Sequence, residues 1–349
     1  MCINRRDCRG VRMGSGVRFG ILTTPIHGAE TPYGQQLREH RELVRVADQL
    51  GFDMMVAGQH FLGTELRYYQ PVPYLTYLHG AAPRMTAVTG IMLLSMANPV
   101  DLAEQIATLD VVTDGRCVFG AGLGYSEREF RAFGIDSRSK VKRFEHGLAL
   151  IKALWSGEKV DFDSPYWKVE DVLPAVQPAR PGGPPVWIGG QSEAAVRRAA
   201  RLGDAWYAPP FPSHDELAGL REIFLEERAA HGLPLDGDFP LRRELIVASS
   251  RREAEELARR RSALRYQTYR SWGLSGENTP VQADAPGIDV ERQFLLGSPA
   301  EIVDQLGRLR DELGMTHFMF KSHWQGLPHT EAMRQLELFG TRVLPELAG

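Results

Sequence analysis

At 349 residues the chain is long enough for two ordinary domains or for one large α/β barrel. Its 43% hydrophobic and 24% charged residues are the balance of a globular protein that buries a full core, which excludes a disordered chain. A net charge of −3 offers no basic field to nucleic acid or an anionic membrane, and no apolar run approaches the ~18 residues of a spanning helix, so the expectation is a soluble protein with neither partner.

Residues 1–16 precede any hydrophobic pattern and read as a disordered basic tail, with Met13 an equally good start. Arg5-Arg6 is followed by no apolar segment, so it does not read as an export signal. Cys2 and Cys8 lie in this tail and Cys117 in an apolar strand. Three cysteines without metal-ligand spacing fit a reducing cytosol and, for Cys117, a buried thiol.

From Val17 the chain reads as alternating strands and helices. Val17–Thr24 is a strand whose following loop holds His27, Gln35–Leu50 an amphipathic helix, and Asp53–Ala57 a strand that ends on Gly58-Gln59-His60. A long loop with Tyr68, Tyr69, Tyr74 and Tyr77 leads to Thr86–Leu94, a continuous apolar run typical of a strand buried on both faces. Asn98-Pro99 supplies an N-cap and a first-turn proline for the next helix. That helix closes at Asp114-Gly115, and the strand Arg116–Gly120 opens into Gly122-Leu123-Gly124-Tyr125.

Beyond it come a helix at Glu145–Trp155, an irregular proline-rich stretch at Gly157–Pro185, and a buried strand, PVWIGG, from Pro185 to Gly190. Ser192–Leu202 is a helix capped by Ser192, followed by strands at Ala205–Ala208 and Leu241–Ala248 and helices at Asp215–Ala230 and Glu253–Tyr266. Trp272–Glu291 has glycines, prolines and no periodicity and reads as a mobile loop. Ala300–Leu313, His317–Lys321 and Thr330–Leu347 complete the pattern as helix, strand and helix. The alternation without a linker predicts a single (β/α)8 TIM barrel over residues 17–349, with insertions near 157–185 and 270–293.

In such a barrel the loops at the strand C-termini share one mouth. Gly189-Gly190-Gln191-Ser192 is either a phosphate-binding loop, its backbone close to an anion at a helix N-terminus, or a tight turn with a serine cap. Gln59-His60 either faces a ligand, where His60 exchanges protons, or is satisfied by neighbouring backbone. GAGLGYSER, Gly120–Arg128, either echoes a dinucleotide fingerprint or is a packing turn, and the early βαβ context of the fingerprint is missing. His27 and His323 are weaker candidates on other loops, and no histidine pair has metal-ligand spacing, so no metal is expected.

The segment NPVDLAEQIATLDVVTDGRCVFGAGLGYSEREFRAFG, with PPVWIGGQS, SPAEIVDQL and GLPHTEAMRQLELFG, resembles the bacterial luciferase-like flavin monooxygenase family, and the resemblance runs from about Val17 to Leu347. It implies a barrel with insertions that binds reduced FMN, or the deazaflavin F420, at its C-terminal mouth. It also implies a non-prolyl cis peptide at Gly90-Ile91 behind the flavin ring. Gly189, Gly190, Gln191 and Ser192 match the phosphate and ribityl region, Tyr125 and Arg128 the turn beside ring or tail, and His60, with Gln59, the reactive face. Leu123 stands where luciferases carry a phosphate-binding arginine, which leaves Arg128 as a candidate cation. The implied activity is a two-component monooxygenase acting on a small organic substrate with dioxygen and a separate flavin reductase. A deazaflavin-dependent hydride transfer and a non-catalytic flavin-binding protein are the alternatives. The 157–185 and 272–291 segments are expected to form much of the substrate pocket, the latter as a lid, and a cytoplasmic homodimer packed through early helices is expected.

Overall fold

The computed structural model describes residues 16–24, 27, 30–63, 67–259, 294–324 and 327–348. The expected tail, apart from Gly16, and the expected loop at 272–291 lie outside these residues. In chain order the first half runs β1 (Arg18–Leu22), α1 (Tyr33–Leu50), β2 (Met54–Ala57), α2 (Pro71–His79), β3 (Thr86–Thr89), β4 (Met92–Leu93), α3 (Pro99–Val112), β5 (Cys117–Gly122), α4 (Glu127–Ala132) and α5 (Lys140–Leu154). It continues through β6 (Val160–Asp163), β7 (Lys168–Val172), β8 (Val186–Gly189), α6 (Glu193–Leu202), β9 (Ala205–Tyr207), α7 (His214–Ala230), β10 (Pro240–Arg242) and β11 (Glu244–Val247). Residues 251–259 are helical (α8). The last elements are β12 (Phe294–Gly297), α9 (Pro299–Leu313), β13 (His317–Phe320), α10 (His329–Arg342) and α11 (Leu344–Leu347).

Eight parallel strands pair in the order β10-β13-β1-β2-β3-β5-β8-β9, and a parallel bridge between Ala208 and Leu241 links the two ends. The expected barrel is therefore observed, its strands following one another around the ring in chain order. Alternation along each strand makes two cores. Met55, Ala57, Ala87, Phe119, Ile188, Trp206, Phe318 and Phe320 pack outward beneath the helices. Met54, Val56, Val88, Val118, Trp187, Ala205, Tyr207 and Met319 point inward and fill the lower barrel. Each fully buried side chain of this size contributes roughly 1.5–3 kcal/mol. Above this filled interior, residues at the C-terminal strand ends line an open cavity.

Local signals set the helix ends. The Asn98 side chain accepts from the Val100 amide with Pro99 in the first turn, and Ser213/Glu216 and Ser298/Glu301 form reciprocal capping boxes at α7 and α9.

Several expected elements differ. The tyrosine-bearing loop includes α2, which begins with Pro71 and carries Tyr74 and Tyr77; prolines in a first turn start helices as readily as they mark loops. The single strand expected at Thr86–Leu94 breaks into β3 and β4 at a cis Gly90-Ile91 bond and ends in a 3₁₀ turn, Leu94–Met96. Leu241–Ala248 divides at Arg243, β10 pairing with β13 inside the barrel and β11 with β12 in a separate pair. Helix α5 starts at Lys140, and α4 occupies the turn before it. The 157–185 stretch holds an antiparallel hairpin, β6–β7, in which Val160 pairs with Val172 and Phe162 with Val169 across a register shift, giving a two-stranded apolar face.

Candidate active site

The ends of β2, β3, β5 and β8 are fixed by short-range chemistry. At β2, the Gly58 amide donates to Thr24 Oγ1 at 2.8 Å, and the Gln59 amide donates to the Ile91 carbonyl at 3.2 Å. The Gln59 side chain is buried and held at both ends: Oε1 accepts from the Leu93 amide at 2.8 Å, and Nε2 donates to Gln70 Oε1 at 2.7 Å. Gln59 thus ties β2 to the backbone just after the cis bond.

Glycines on β5 make that bend possible. A Cβ on Gly120 would lie 1.9 Å from the Thr89 carbonyl oxygen, and one on Gly122 would lie 2.1 Å from Ile91 Cδ1. These glycines therefore serve close packing of β3–β4 on β5. Of the two readings of GAGLGYSER, the packing one describes Gly120 and Gly122. At β8, Gly190 lets helix α6 approach, since a Cβ there would meet Ala195 Cβ at 2.5 Å. Ser192 caps α6 with its oxygen toward the Ala195 amide, and Trp206 Nε1 donates to the Gly190 carbonyl at 2.8 Å.

These loops enclose a cavity of about 580 Å³, within the range of small-molecule and cofactor sites. Gln59, His60, Gly90, Ile91, Leu123, Tyr125, Gly189, Gly190, Gln191 and Ser192 all line it. Arg128 does not: it lines a neighbouring hollow of about 400 Å³ with Phe61, Ser126 and Arg131, which shares His60 and Tyr125 with the larger cavity. Arg128 stands in the first turn of α4, whereas Ser192 at the α6 N-terminus lines the larger cavity. The cations that do line the cavity are Lys140 and Arg242, neither of which the sequence pattern marked. Arg242 also pairs with buried Glu244 at 3.1 Å. No residue of 157–185 lines the cavity, contrary to expectation, because the β6–β7 hairpin forms its own small sheet.

His60 sits at the junction of the two hollows, held on both ring nitrogens. Nδ1 lies 3.1 Å from Glu129 Oε1, and Nε2 lies 3.0 Å from the Tyr125 hydroxyl. Glu129 Oε1 also accepts the Phe61 amide at 2.7 Å, so the carboxylate is fixed as well as buried. An ionised Glu129 accepts from Nδ1–H, which makes Nε2 the acceptor of the Tyr125 hydroxyl proton. Glu129 was missed by sequence reasoning because its partner is 69 positions away. Tyr207 faces the same cavity from β9. Burial pushes its phenol up to about 12, so it stays a neutral donor at neutral pH, and its buried hydroxyl has no hydrogen-bond partner among the described residues.

The lining fits a flat ring system with an anionic tail. Leu22, Ile91, Leu93, Leu123 and Phe211 supply apolar walls, the unpartnered Tyr207 hydroxyl a donor, and the α6 N-terminus with Lys140 and Arg242 positive potential.

His27 and His323 do not line this cavity. They meet each other and His40 beside α1, with ring centroids 4.8 Å (His27–His323) and 5.1 Å (His27–His40) apart. Burial lowers all three below the usual histidine range, His40 to about 3 and His323 to about 2, so the rings are neutral at pH 7.

A parallel eight-stranded barrel whose mouth holds a polar-rimmed apolar cavity defines the class: an α/β-barrel enzyme. The luciferase-like monooxygenase family model matches residues 17–317, and the chain belongs to that family of oxidoreductases. Among relatives, 4-hydroxyprotoasukamycin monooxygenase of Streptomyces nodosus subsp. asukaensis is 26% identical, the alignment covering 95% of this chain and 93% of that protein. The F420-dependent glucose-6-phosphate dehydrogenase of Beutenbergia cavernae is also 26% identical, over 86% of this chain and 91% of that one. The oxygenating constituent of 3,6-diketocamphane monooxygenase from Pseudomonas putida, solved in complex with FMN, shares the fold with a TM-score of 0.79 at 19% identity, covering 95% of this chain and 99% of its own. No helix among the described residues is long and apolar enough to cross a membrane.

Proposed function

We propose that the cavity takes reduced FMN and that the protein is a monooxygenase of a small organic substrate, with the reduced flavin supplied by a separate reductase. The observation that carries this reading is the convergence of the β2, β3, β5 and β8 ends on one cavity that combines apolar walls with a helix N-terminus and two cations. The diketocamphane oxygenating constituent, whose structure holds FMN, has the same fold, which supports the choice.

Reduced FMN, when bound, supplies the electrons that activate dioxygen. Gly90, Ile91, Leu22 and Leu123 would hold the ring, and the α6 amides, Ser192, Arg242 and Lys140 the anionic tail. His60 Nε2 would hold or move a proton at the mouth, a role supported by its contacts with Glu129, which would fix its tautomer, and with the Tyr125 hydroxyl. Tyr207 offers a neutral hydroxyl to a ring heteroatom. The close packing of the β5 glycines against β3–β4 would keep water away from the closed side of the site.

A second reading is deazaflavin-dependent hydride transfer at the same cavity, favoured by the relative named F420-dependent glucose-6-phosphate dehydrogenase and by the Gln59-His60 pair at the end of β2. Anaerobic fluorescence titration with reduced FMN and with F420, followed by oxygen uptake over a substrate panel, separates the two. Tight FMN binding with substrate-dependent oxygen uptake is expected; saturable binding of F420 alone overturns the proposal. Within it, His60→Ala is expected to lower turnover far more than flavin affinity. Unchanged turnover removes the role assigned to His60.

A further inference from the structure

We propose that His27, Glu39 and His323 form a divalent-cation site of the zinc type that joins the loop after β1, helix α1 and the loop after β13. The topology makes these three neighbours although His27 and His323 stand 296 positions apart in the sequence. Strands β1 and β13 lie side by side, with Ile21 opposite Phe320, so the loops leaving their C-terminal ends emerge together. Helix α1 brings Glu39 to them, its Oε2 3.1 Å from His27 Nε2.

The donor set is two imidazoles and a carboxylate, the mixed nitrogen–oxygen set that zinc accepts with one position left for water. Their ligand atoms all lie within 4.8 Å of one another. His27 Nε2 and Glu39 Oε2 are 3.1 Å apart, yet His27 Nε2 makes no hydrogen bond of acceptable geometry. A separation of roughly 3.3 Å is the edge of a tetrahedron built on metal bonds of ~2.0–2.1 Å. Glu39 is oriented from behind, its Oε1 accepting from Gln35 Nε2 at 2.8 Å, so that Oε2 is the oxygen turned to the histidine. His323 is only 2% exposed and, among the described residues, neither of its ring nitrogens makes a hydrogen bond of acceptable geometry, although the Trp324 backbone lies beside it; native interiors rarely leave such groups unfilled. Stacked His40 is anchored separately, its Nδ1 2.6 Å from the Tyr74 hydroxyl, and backs the site without being needed as a ligand. Glu39 is partly exposed and gives the ion a route in.

The role this geometry assigns is structural, clamping the rim beside the cavity. The test uses the full chain without flavin, so its outcome is independent of the cofactor reading. After dialysis against a chelator, the protein is titrated with Co²⁺, read by visible d–d absorption, and with Zn²⁺, read by calorimetry and by the thermal midpoint. One equivalent of four- or five-coordinate Co²⁺ is expected, with a higher midpoint for the zinc-loaded form. Glu39→Gln and His323→Gln are each expected to weaken binding about 100-fold or more and to abolish the zinc-dependent midpoint shift, while His231→Gln at the surface leaves both intact. Glu39→Gln alters a partly exposed helix position and decides the matter where a buried histidine variant fails to fold. Absence of saturable binding to the wild type, or binding that survives Glu39→Gln, overturns the proposal.

Discussion

At the scale of single residues, the site depends on groups that hold other groups in place. His60 has no freedom of tautomer while Glu129 and Tyr125 occupy its two nitrogens at 3.1 and 3.0 Å. Glu129→Gln keeps an acceptor for the Phe61 amide but removes the charge that fixes Nδ1–H. Turnover is expected to fall by about 100-fold, the lower end of the range for general acid–base assistance, with flavin affinity nearly unchanged. Steady-state kinetics beside a flavin titration checks the split; equal losses in both would mean that Glu129 only supports the pocket. His60, Gln59 and Ser192 were legible in the sequence because each sits beside a strand-ending motif. Arg242 and Lys140 were not, since each reaches the cavity from an element with no glycine turn to mark it, and Glu129, which lines the neighbouring hollow, was not because its partner His60 lies 69 positions away. His27 and His323 were noted singly; nothing in their spacing shows that barrel closure sets them 4.8 Å apart, centroid to centroid, next to Glu39. Spacing rules for metal ligands see local pairs only, so no pattern in the chain predicts that these three residues converge.

Elements are specified more locally. Proline and serine at helix starts, and apolar runs ending on glycine, located most strands and helices to within a few positions. The failures share one cause: a tertiary contact overrides the local pattern. The run from Thr86 is apolar throughout, yet it bends at Gly90-Ile91 against the glycines of β5. Gly120→Ala would drive a methyl to 1.9 Å from the Thr89 carbonyl oxygen, backbone that cannot swing aside. The expected cost is about 1–3 kcal/mol or more. Gly219→Ala, inside α7 with nothing within 4 Å of its added Cβ, is expected to stabilise by roughly 0.5–1 kcal/mol. Urea unfolding midpoints of the two variants check the contrast, and equal effects would contradict the packing role given to the β5 glycines.

For the whole molecule, the alternation of strand and helix and the closure of the ring were readable because every βα unit repeats the same burial problem. The hairpin at 160–172 and the split between β10 and β11 depart from that repeat. Stability should carry a pH signature from His317, on the strand that closes the ring. Burial lowers this histidine to about 4 from its usual 6.5, outweighing Asp238, which acts in the opposite sense. Between those values the unfolded chain binds the proton that the folded one refuses, so stability is full above about 6.5 and falls as pH drops toward 4. Urea unfolding at pH 7.5 and 5 should show a smaller loss for His317→Gln than for the wild type; an identical loss would show that other groups govern the acid limb.

The most direct measurement is a crystal structure of the protein with FMN. The expected result is a ring lying against Gly90-Ile91, facing His60, with its phosphate at the α6 N-terminus beside Ser192. FMN seated at another opening, or a phosphate held by Arg128 in the neighbouring hollow, would contradict the proposed site.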